Sequence, residues 1–158
     1  GTHRSQRMSQ VDLHSHSTVS DGSFTPSQVV RKAAEAGLDA VALTDHDNIN
    51  GLTEADRAAK SEGILLVPGV EISAESPTGT LHILGYFISQ DNKTLKEKLD
   101  TLQEARAQRN PKIAEKLQGL GIDITYDEVQ AVAGSAQVGR PNFAQILIRK
   151  GVVKNFNE

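Results

Sequence analysis

Short apolar runs alternate with amphipathic segments through the first half of the chain. Several of these runs have the length and the content of β-branched residues that are typical of β-strands. We predict strands from Val11, at residues 39–44, at residues 64–67 with a continuation to residue 72, and at residues 80–88. The third run is nearly all apolar, which is typical of a strand that is covered on both faces.

Two helices are predicted between the first three strands. Thr25-Pro26-Ser27-Gln28 offers an N-cap, a proline in the first turn and a glutamine at N3, so the first helix should run from Pro26 to about Ala36. The second should open at Asn50-Gly51 and close at Gly63. The order strand, helix, strand, helix, strand has short connections, and this pattern predicts a parallel sheet or barrel with right-handed crossovers. In such folds ligands collect at the carboxyl ends of the strands.

Charged helical segments replace this alternation from Lys93 onward. We predict helices at residues 93–108, at residues 111–120, from the capping box Thr125-Tyr126-Asp127-Glu128, and from Arg140 to Gly151. The polar residues 1–7 are expected to be a cloning remnant or a disordered segment and take no part in the fold prediction.

Composition narrows the class of protein. The 158 residues, 37% of them hydrophobic, suffice for a single core. A net charge of −3 argues against a protein that wraps polynucleotides, which needs a basic surface. The chain has no cysteine, so metal ligands would have to be His, Asp or Glu. No apolar run approaches the roughly 18 residues that span a bilayer, and we expect a soluble cytoplasmic protein without a membrane partner.

Histidines and carboxylates follow the predicted strands. Residues i and i+2 of an extended chain point to the same side, so His14 and His16 can present both imidazoles to one ion. Asp45-His46-Asp47 follows the second strand, and Glu71 lies in the continuation of the third. A carboxylate in an apolar run is costly to bury without a cation. A shared metal site at these strand ends is the simplest interpretation.

Each candidate also has a structural interpretation. Asp21 in Ser-Asp-Gly could form an Asx turn, and His82 inside an apolar strand could be a satisfied core residue. Asp45 and Asp47 could orient an imidazole or be solvated loop residues. Arg140, at the start of a helix, could hold a phosphate or be a surface charge.

A series of motifs in this order carries a resemblance to a known family: His14-x-His16, Asp21, Thr44-Asp45-His46-Asp47, Pro68-Gly69-Val70-Glu71 and His82. The series resembles that of the PHP (polymerase and histidinol phosphatase) domain family. The resemblance covers Val11 to about Gly151 and includes Val138-Gly139-Arg140-Pro141. It is greatest for the stand-alone metal-dependent phosphoesterases, which act on nucleoside monophosphates, nucleoside 3′,5′-bisphosphates or short RNA ends.

The resemblance implies the fold and the ligand set. The fold would be α/β, a partial distorted β/α barrel of the PHP type with a helical insertion after the fourth strand. Residues 8–92 would form the N-terminal half with the metal ligands, and residues 93–158 the helical insertion or lid. The ligand assignments are His14 and His16 for a first ion, Glu71 as its bridge to a second held by His82, and Asp21 with His46 for a third.

The activity implied is hydrolysis of a phosphomonoester of a nucleotide-like substrate through a metal-bound hydroxide. Two or three divalent ions would serve, and Mn²⁺, Fe²⁺ and Zn²⁺ all suit these ligands. Arg140 and Asn142 are the candidate substrate-binding residues. The family's barrel is longer than this chain, so further ligands are expected from the longer parent chain. Two alternatives remain: a non-catalytic metal-binding or structural PHP module, and a nuclease acting on short RNA ends.

Overall fold

The computed structural model describes residues 9–77, 79–134 and 136–156, and its four strands form one sheet in sequence order. The strands are β1 (Val11–Ser15), β2 (Ala40–Leu43), β3 (Leu65–Ser76) and β4 (Gly79–Tyr86). The helices are α1 (Pro26–Glu35), α2 (Leu52–Glu62), α3 (Lys93–Gly119), α4 (Tyr126–Ala133) and α5 (Arg140–Arg149). The strand and helix alternation predicted for the first half is confirmed. Residues 1–8, Thr78, Ser135 and residues 157–158 lie outside the described residues.

The sheet changes character in the middle of β3. β1, β2 and the first part of β3 pair in parallel, whereas the part of β3 from Gly69 onward pairs antiparallel with β4. A side chain at Gly69 would place its Cβ 2.8 Å from the Thr44 Cγ2 atom, so the absence of a side chain allows this close crossing. The Tyr86 hydroxyl donates to the Leu13 carbonyl oxygen at 2.8 Å, which joins β4 to β1. The sheet therefore curls into a half barrel, as the resemblance implied.

The main core lies between the sheet and helices α1 and α2. The predicted capping box of α1 forms between Thr25 and Gln28, and Gly63 ends α2 with a φ of 69°. All four residues of β2 are buried, as expected for a central strand. The largest fully buried side chains of this core are Val30, Val41, Leu43, Leu52, Val70 and Leu99.

The second half of the chain contains one long helix where the sequence predicted two. We expected Pro111 to begin a new helix, but α3 continues through it. Packing on both sides of the proline explains this: Leu99 is buried in the main core and Ala114 in a second cluster. The Asn110 side chain also donates to the Val138 carbonyl oxygen at 2.9 Å. Because proline has a helical φ, these contacts outweigh its missing N–H donor.

The second cluster is formed by the end of α3 together with α4 and α5. Its buried members are Ala114, Ile124, Val129, Phe143 and Ile146. The predicted capping box of α4 is present between Thr125 and Glu128. In the described part of the chain, no helix combines the length and the apolar character needed to cross a bilayer.

Candidate metal centre

The predicted ligands meet at the carboxyl ends of the parallel strands. His14 lies in β1 and His16 directly follows it, whereas His46 lies beyond the end of β2. A short parallel bridge pairs His46 with Glu71: the Glu71 N–H donates to the Asp45 carbonyl oxygen at 3.1 Å, and the Asp47 N–H donates to the Glu71 carbonyl oxygen at 2.9 Å. Backbone pairing therefore sets the distance between His46 and Glu71.

The Glu71 carboxylate is the centre of the histidine cluster. Its side chain is only 4% exposed. The Oε2 atom lies 2.8 Å from His14 Nε2 and 3.0 Å from His16 Nε2, and the Oε1 atom lies 2.5 Å from His82 Nδ1. His46 Nδ1 is 3.7 Å from Oε2. One nearly buried carboxylate thus faces four imidazoles.

A further group forms around Asp21. Its two carboxylate oxygens lie 3.7 Å from His16 Nδ1 and 3.6 Å from His46 Nε2. The rings of His16 and His46 stack with centroids 4.6 Å apart. The described residues contain ligand groups of the composition His14-His16-Glu71, His16-Asp21-His46 and His46-Glu71-His82. All six predicted ligands therefore lie in one cluster.

The geometry of the cluster fits divalent metal ions. Ligand atoms about 2.1 Å from an ion lie about 3.0 to 3.4 Å from one another in octahedral or tetrahedral coordination. The atoms His14 Nε2, His16 Nε2 and Glu71 Oε2 are separated by 2.8 to 3.0 Å. Within the described residues, His46 Nδ1 is buried and has no hydrogen-bond partner. A buried imidazole nitrogen of this kind is suited to coordinate a cation.

Burial and charge act in opposite directions on the ionisation of this cluster. Burial raises the pKa of the Glu71 carboxyl, but hydrogen bonds from His14 and His82 and the nearby charges of His46 and His16 outweigh it and leave the pKa below its ordinary value. Burial also lowers the pKa of His46, against the attraction of Asp21 and Glu71. An ionised Glu71 beside a neutral His46 is the combination that metal binding requires.

The aspartates that flank His46 are both buried and hydrogen-bonded. Asp45 and Asp47 are each 2% exposed, so the interpretation as solvated loop residues is wrong. Asp45 accepts hydrogen bonds from Ser17 and Ser20. Asp47 accepts the Ser73 N–H at 3.0 Å and forms an ion pair with Arg106 of α3.

A cavity of about 240 Å³ opens beside the cluster and is lined by arginines. The predicted ligands Asp21, His46 and His82 form one part of its wall, and Arg106, Arg109 and Arg140 form another. The three arginines also border an adjoining cavity of about 470 Å³. Arg106 and Arg109 were not identified from the sequence. Their spacing of three residues, which places them on one face of a helix, was the available indication.

The sequence of the chain matches the PHP domain family over residues 12–132. The chain belongs to this family. Among similar proteins, a 5′-3′ exoribonuclease of Haemophilus influenzae is 38% identical over 92% of this chain and 53% of its own length. A 3′,5′-nucleoside bisphosphate phosphatase of Chromobacterium violaceum is 36% identical over 94% of this chain and 52% of its own length.

Solved structures show the same relationship. An amidohydrolase from Chromobacterium violaceum with bound sulfate and no metal superposes with a TM-score of 0.85 at 35% identity, covering 93% of this chain and 52% of that one. A Bifidobacterium adolescentis protein proposed to be a metal-dependent phosphoesterase gives a TM-score of 0.81 at 31% identity, covering 94% and 52%. The chain spans about half the length of the curated relatives it matches. The expectation that residues of a longer parent chain complete the site stays a prediction.

The two predicted substrate-binding residues lie at the start of α5. Arg140 lines the cavity beside the predicted ligands. Asn142 has a local partner, because its Oδ1 atom accepts the Gly139 N–H at 2.8 Å and caps the helix. A substrate-binding role for either residue stays a prediction.

Proposed function

We propose that this PHP chain takes part in metal-dependent hydrolysis of a phosphomonoester of a nucleotide-like substrate. The observation that carries the proposal is the cavity in which Asp21, His46 and His82 face Arg106 and Arg140. Cation ligands on one wall and guanidinium groups on the other provide the two components that bind a phosphoryl group.

We assign two or three divalent ions to the cluster, with Mn²⁺, Fe²⁺ and Zn²⁺ as the candidates that suit imidazole and carboxylate ligands. His14 and His16 would hold one ion, and Glu71 would bridge it to an ion held by His82. Asp21 and His46 would hold another ion, and the three ligand groups found among the described residues support this division. Such ions would activate water for attack and neutralise charge on the phosphoryl oxygens.

The arginines would bind and orient the substrate. Charge-assisted hydrogen bonds from Arg140 and Arg106 would hold a phosphate, and the guanidinium geometry would fix its orientation. The adjoining cavity adds apolar surface from Ile72, Leu102 and Ala105, which suits the nucleoside part of the substrate. The names of the relatives, a nucleoside bisphosphate phosphatase among them, support a nucleotide-like substrate.

The helical segment 93–158 contributes the arginine wall, and we propose that it forms an insertion covering the site carried by residues 8–92. We also propose a cytoplasmic location, with which a composition free of cysteine is compatible.

A nuclease acting on short RNA ends is the second candidate, because the Haemophilus influenzae relative is a 5′-3′ exoribonuclease. The two functions share the metal ligands but differ in the bond that is cleaved. A phosphatase releases inorganic phosphate from AMP or adenosine 3′,5′-bisphosphate. An exoribonuclease releases mononucleotides from a 5′-phosphorylated oligoribonucleotide.

The decisive experiment compares these substrates in the presence of Mn²⁺, with the metal content of the same sample measured by elemental analysis. Arg140→Gln should raise the KM for the nucleotide by about 10- to 100-fold, the effect of one charge-assisted hydrogen bond, while the metal content is unchanged. Arg149→Gln is the matched control, since Arg149 lies at the other end of the same helix and is exposed. Bound metal without release of either product would instead support a non-catalytic PHP module.

A further inference from the structure

The Asp45 side chain lies at the centre of a buried polar network beside the metal ligands. Its Oδ1 atom accepts the Ser17 N–H at 2.6 Å and the Ser20 hydroxyl at 2.7 Å, and its Oδ2 atom accepts the Ser17 hydroxyl at 2.7 Å. Asp45, Ser17 and Ser20 are 2%, 0% and 1% exposed, respectively. Burying these polar groups is favourable only because they satisfy one another.

These hydrogen bonds close the loop that follows β1. The Gly22 N–H donates to the Ser17 carbonyl oxygen at 2.9 Å, and the Val19 N–H donates to the Ser17 hydroxyl at 3.2 Å. A Cβ atom at Gly22 would lie 2.4 Å from the His16 carbonyl oxygen, so the turn is tightly folded. Ser17 thus connects Asp45 to a loop with little freedom to move.

All three members of the His16-Asp21-His46 group are attached to this network. His16 begins the loop and Asp21 lies within it, and the Ser20 hydroxyl is 3.5 Å from His16 Nδ1 and 3.4 Å from Asp21 Oδ1. His46 directly follows Asp45 in the chain. We propose that Asp45 is the positioning residue of the His16-Asp21-His46 group, which it shapes through its three hydrogen bonds. The inference rests on the proposed function, in which Asp21 and His46 of this group hold an ion.

The other ligands do not depend on the Asp45 side chain. His82 comes from β4, and Glu71 is placed by backbone hydrogen bonds to Asp45 and Asp47 that survive a change of side chain. Removing the carboxylate should therefore weaken mainly the binding of the ion held by Asp21 and His46. A purely structural role would lower stability and leave the individual binding constants alone.

The test measures Mn²⁺ binding by titration calorimetry and by elemental analysis for the wild-type chain and a set of variants. Asp45→Ala should weaken the binding of one ion by about 10- to 100-fold, which is the usual effect of removing a partner that orients a ligand. Asp45→Asn should stay near wild type: its amide oxygen can keep the Ser17 N–H and Ser20 bonds, and its NH₂ group can donate to the Ser17 hydroxyl. Val129→Ala, in the second cluster, is a control that lowers stability without approaching the ligands.

Asp21→Asn identifies the ion concerned. If Asp45 acts through this group, Asp21→Asn and Asp45→Ala should weaken the binding of the same ion. The double variant should then lose little more affinity for that ion than either single variant. Ser20→Ala is a smaller change and should weaken the binding of that ion in part. If Asp45→Ala does not fold, the result for Ser20→Ala tests the inference instead. Unchanged binding in Ser20→Ala and Asp45→Ala, or equal losses in Asp45→Asn and Asp45→Ala, would overturn the inference. A wild-type chain that binds no ion would overturn it together with the proposed function.

Discussion

The ion pair between Asp47 and Arg106 connects the loop that carries His46 to helix α3. Its side chains are 3% and 10% exposed, so the pair is almost removed from water. Asp47 also accepts the Ser73 N–H at 3.0 Å, and Gln103 donates to the Asp47 carbonyl oxygen at 2.7 Å. The fold should therefore be sensitive to the loss of either charge.

Asp47→Asn and Arg106→Met each remove one charge with little change in shape. Asparagine suits the site because Asp47 has a φ of 51°, which asparagine tolerates, and methionine keeps an apolar stem. Loss of one partner of a buried pair costs about 3 to 5 kcal/mol, since a charge stays buried without compensation. Arg106 keeps the Ser73 hydroxyl as an acceptor at 3.1 Å. We therefore expect the lower value, about 3 kcal/mol for each single variant.

The double variant leaves neither charge of the pair buried without a partner, so it should be at least as stable as either single variant, which corresponds to a coupling energy of at least about 3 kcal/mol. Equilibrium urea denaturation followed by circular dichroism measures the free energies of unfolding. The exposed pair Lys60 and Asp56 in α2 is the matched control, for which the same cycle should give less than about 1 kcal/mol. Additive losses at Asp47 and Arg106, within about 0.5 kcal/mol, would refute the reasoning.

Other predictions concern single contacts. Glu71→Gln should lose about one ion per chain, measured by elemental analysis, while the circular dichroism spectrum is retained; global unfolding would indicate a structural role instead. Gly22→Ala should lower stability by about 1 to 3 kcal/mol in thermal denaturation, because its Cβ would lie 2.4 Å from the His16 carbonyl oxygen, and an unchanged Tm would contradict this. Hydrogen bonds from the hydroxyl and the N–H of Ser27 lower the pKa of Glu54 below its ordinary 4.5. These hydrogen bonds contribute to stability above pH 4.5, and the contribution is lost as the pH falls through the lowered pKa. Glu54→Gln should therefore reduce the fall in the free energy of unfolding over this pH range, measured by denaturation at a series of acid pH values.

Local sequence determined the elements of the first half and the candidate metal ligands. The cap at Thr25-Pro26 and the glycine at Gly63 are short-range signals, and helices begin and end there as predicted. The candidate ligands His14, His16 and His46 were recognisable because they lie at or just beyond the ends of strands, and parallel strands bring their carboxyl ends to one edge. The chemistry of these side chains and the order of the strands were enough to predict that the three histidines lie together.

Tertiary structure decided what depends on partners distant in sequence. Pro111 is a strong local signal for a helix boundary, yet packing of Leu99 and Ala114 on either side keeps α3 continuous. Arg106 is one of many charged residues in α3, and only its pairing with Asp47, 59 residues away, places it beside the ligands. The role of Asp45 was open for the same reason, because its partners at residues 17 and 20 become neighbours only when β1 and β2 pair. Residue types and strand ends thus follow from the sequence, whereas the surroundings of each ligand follow from contacts that form only in the folded chain.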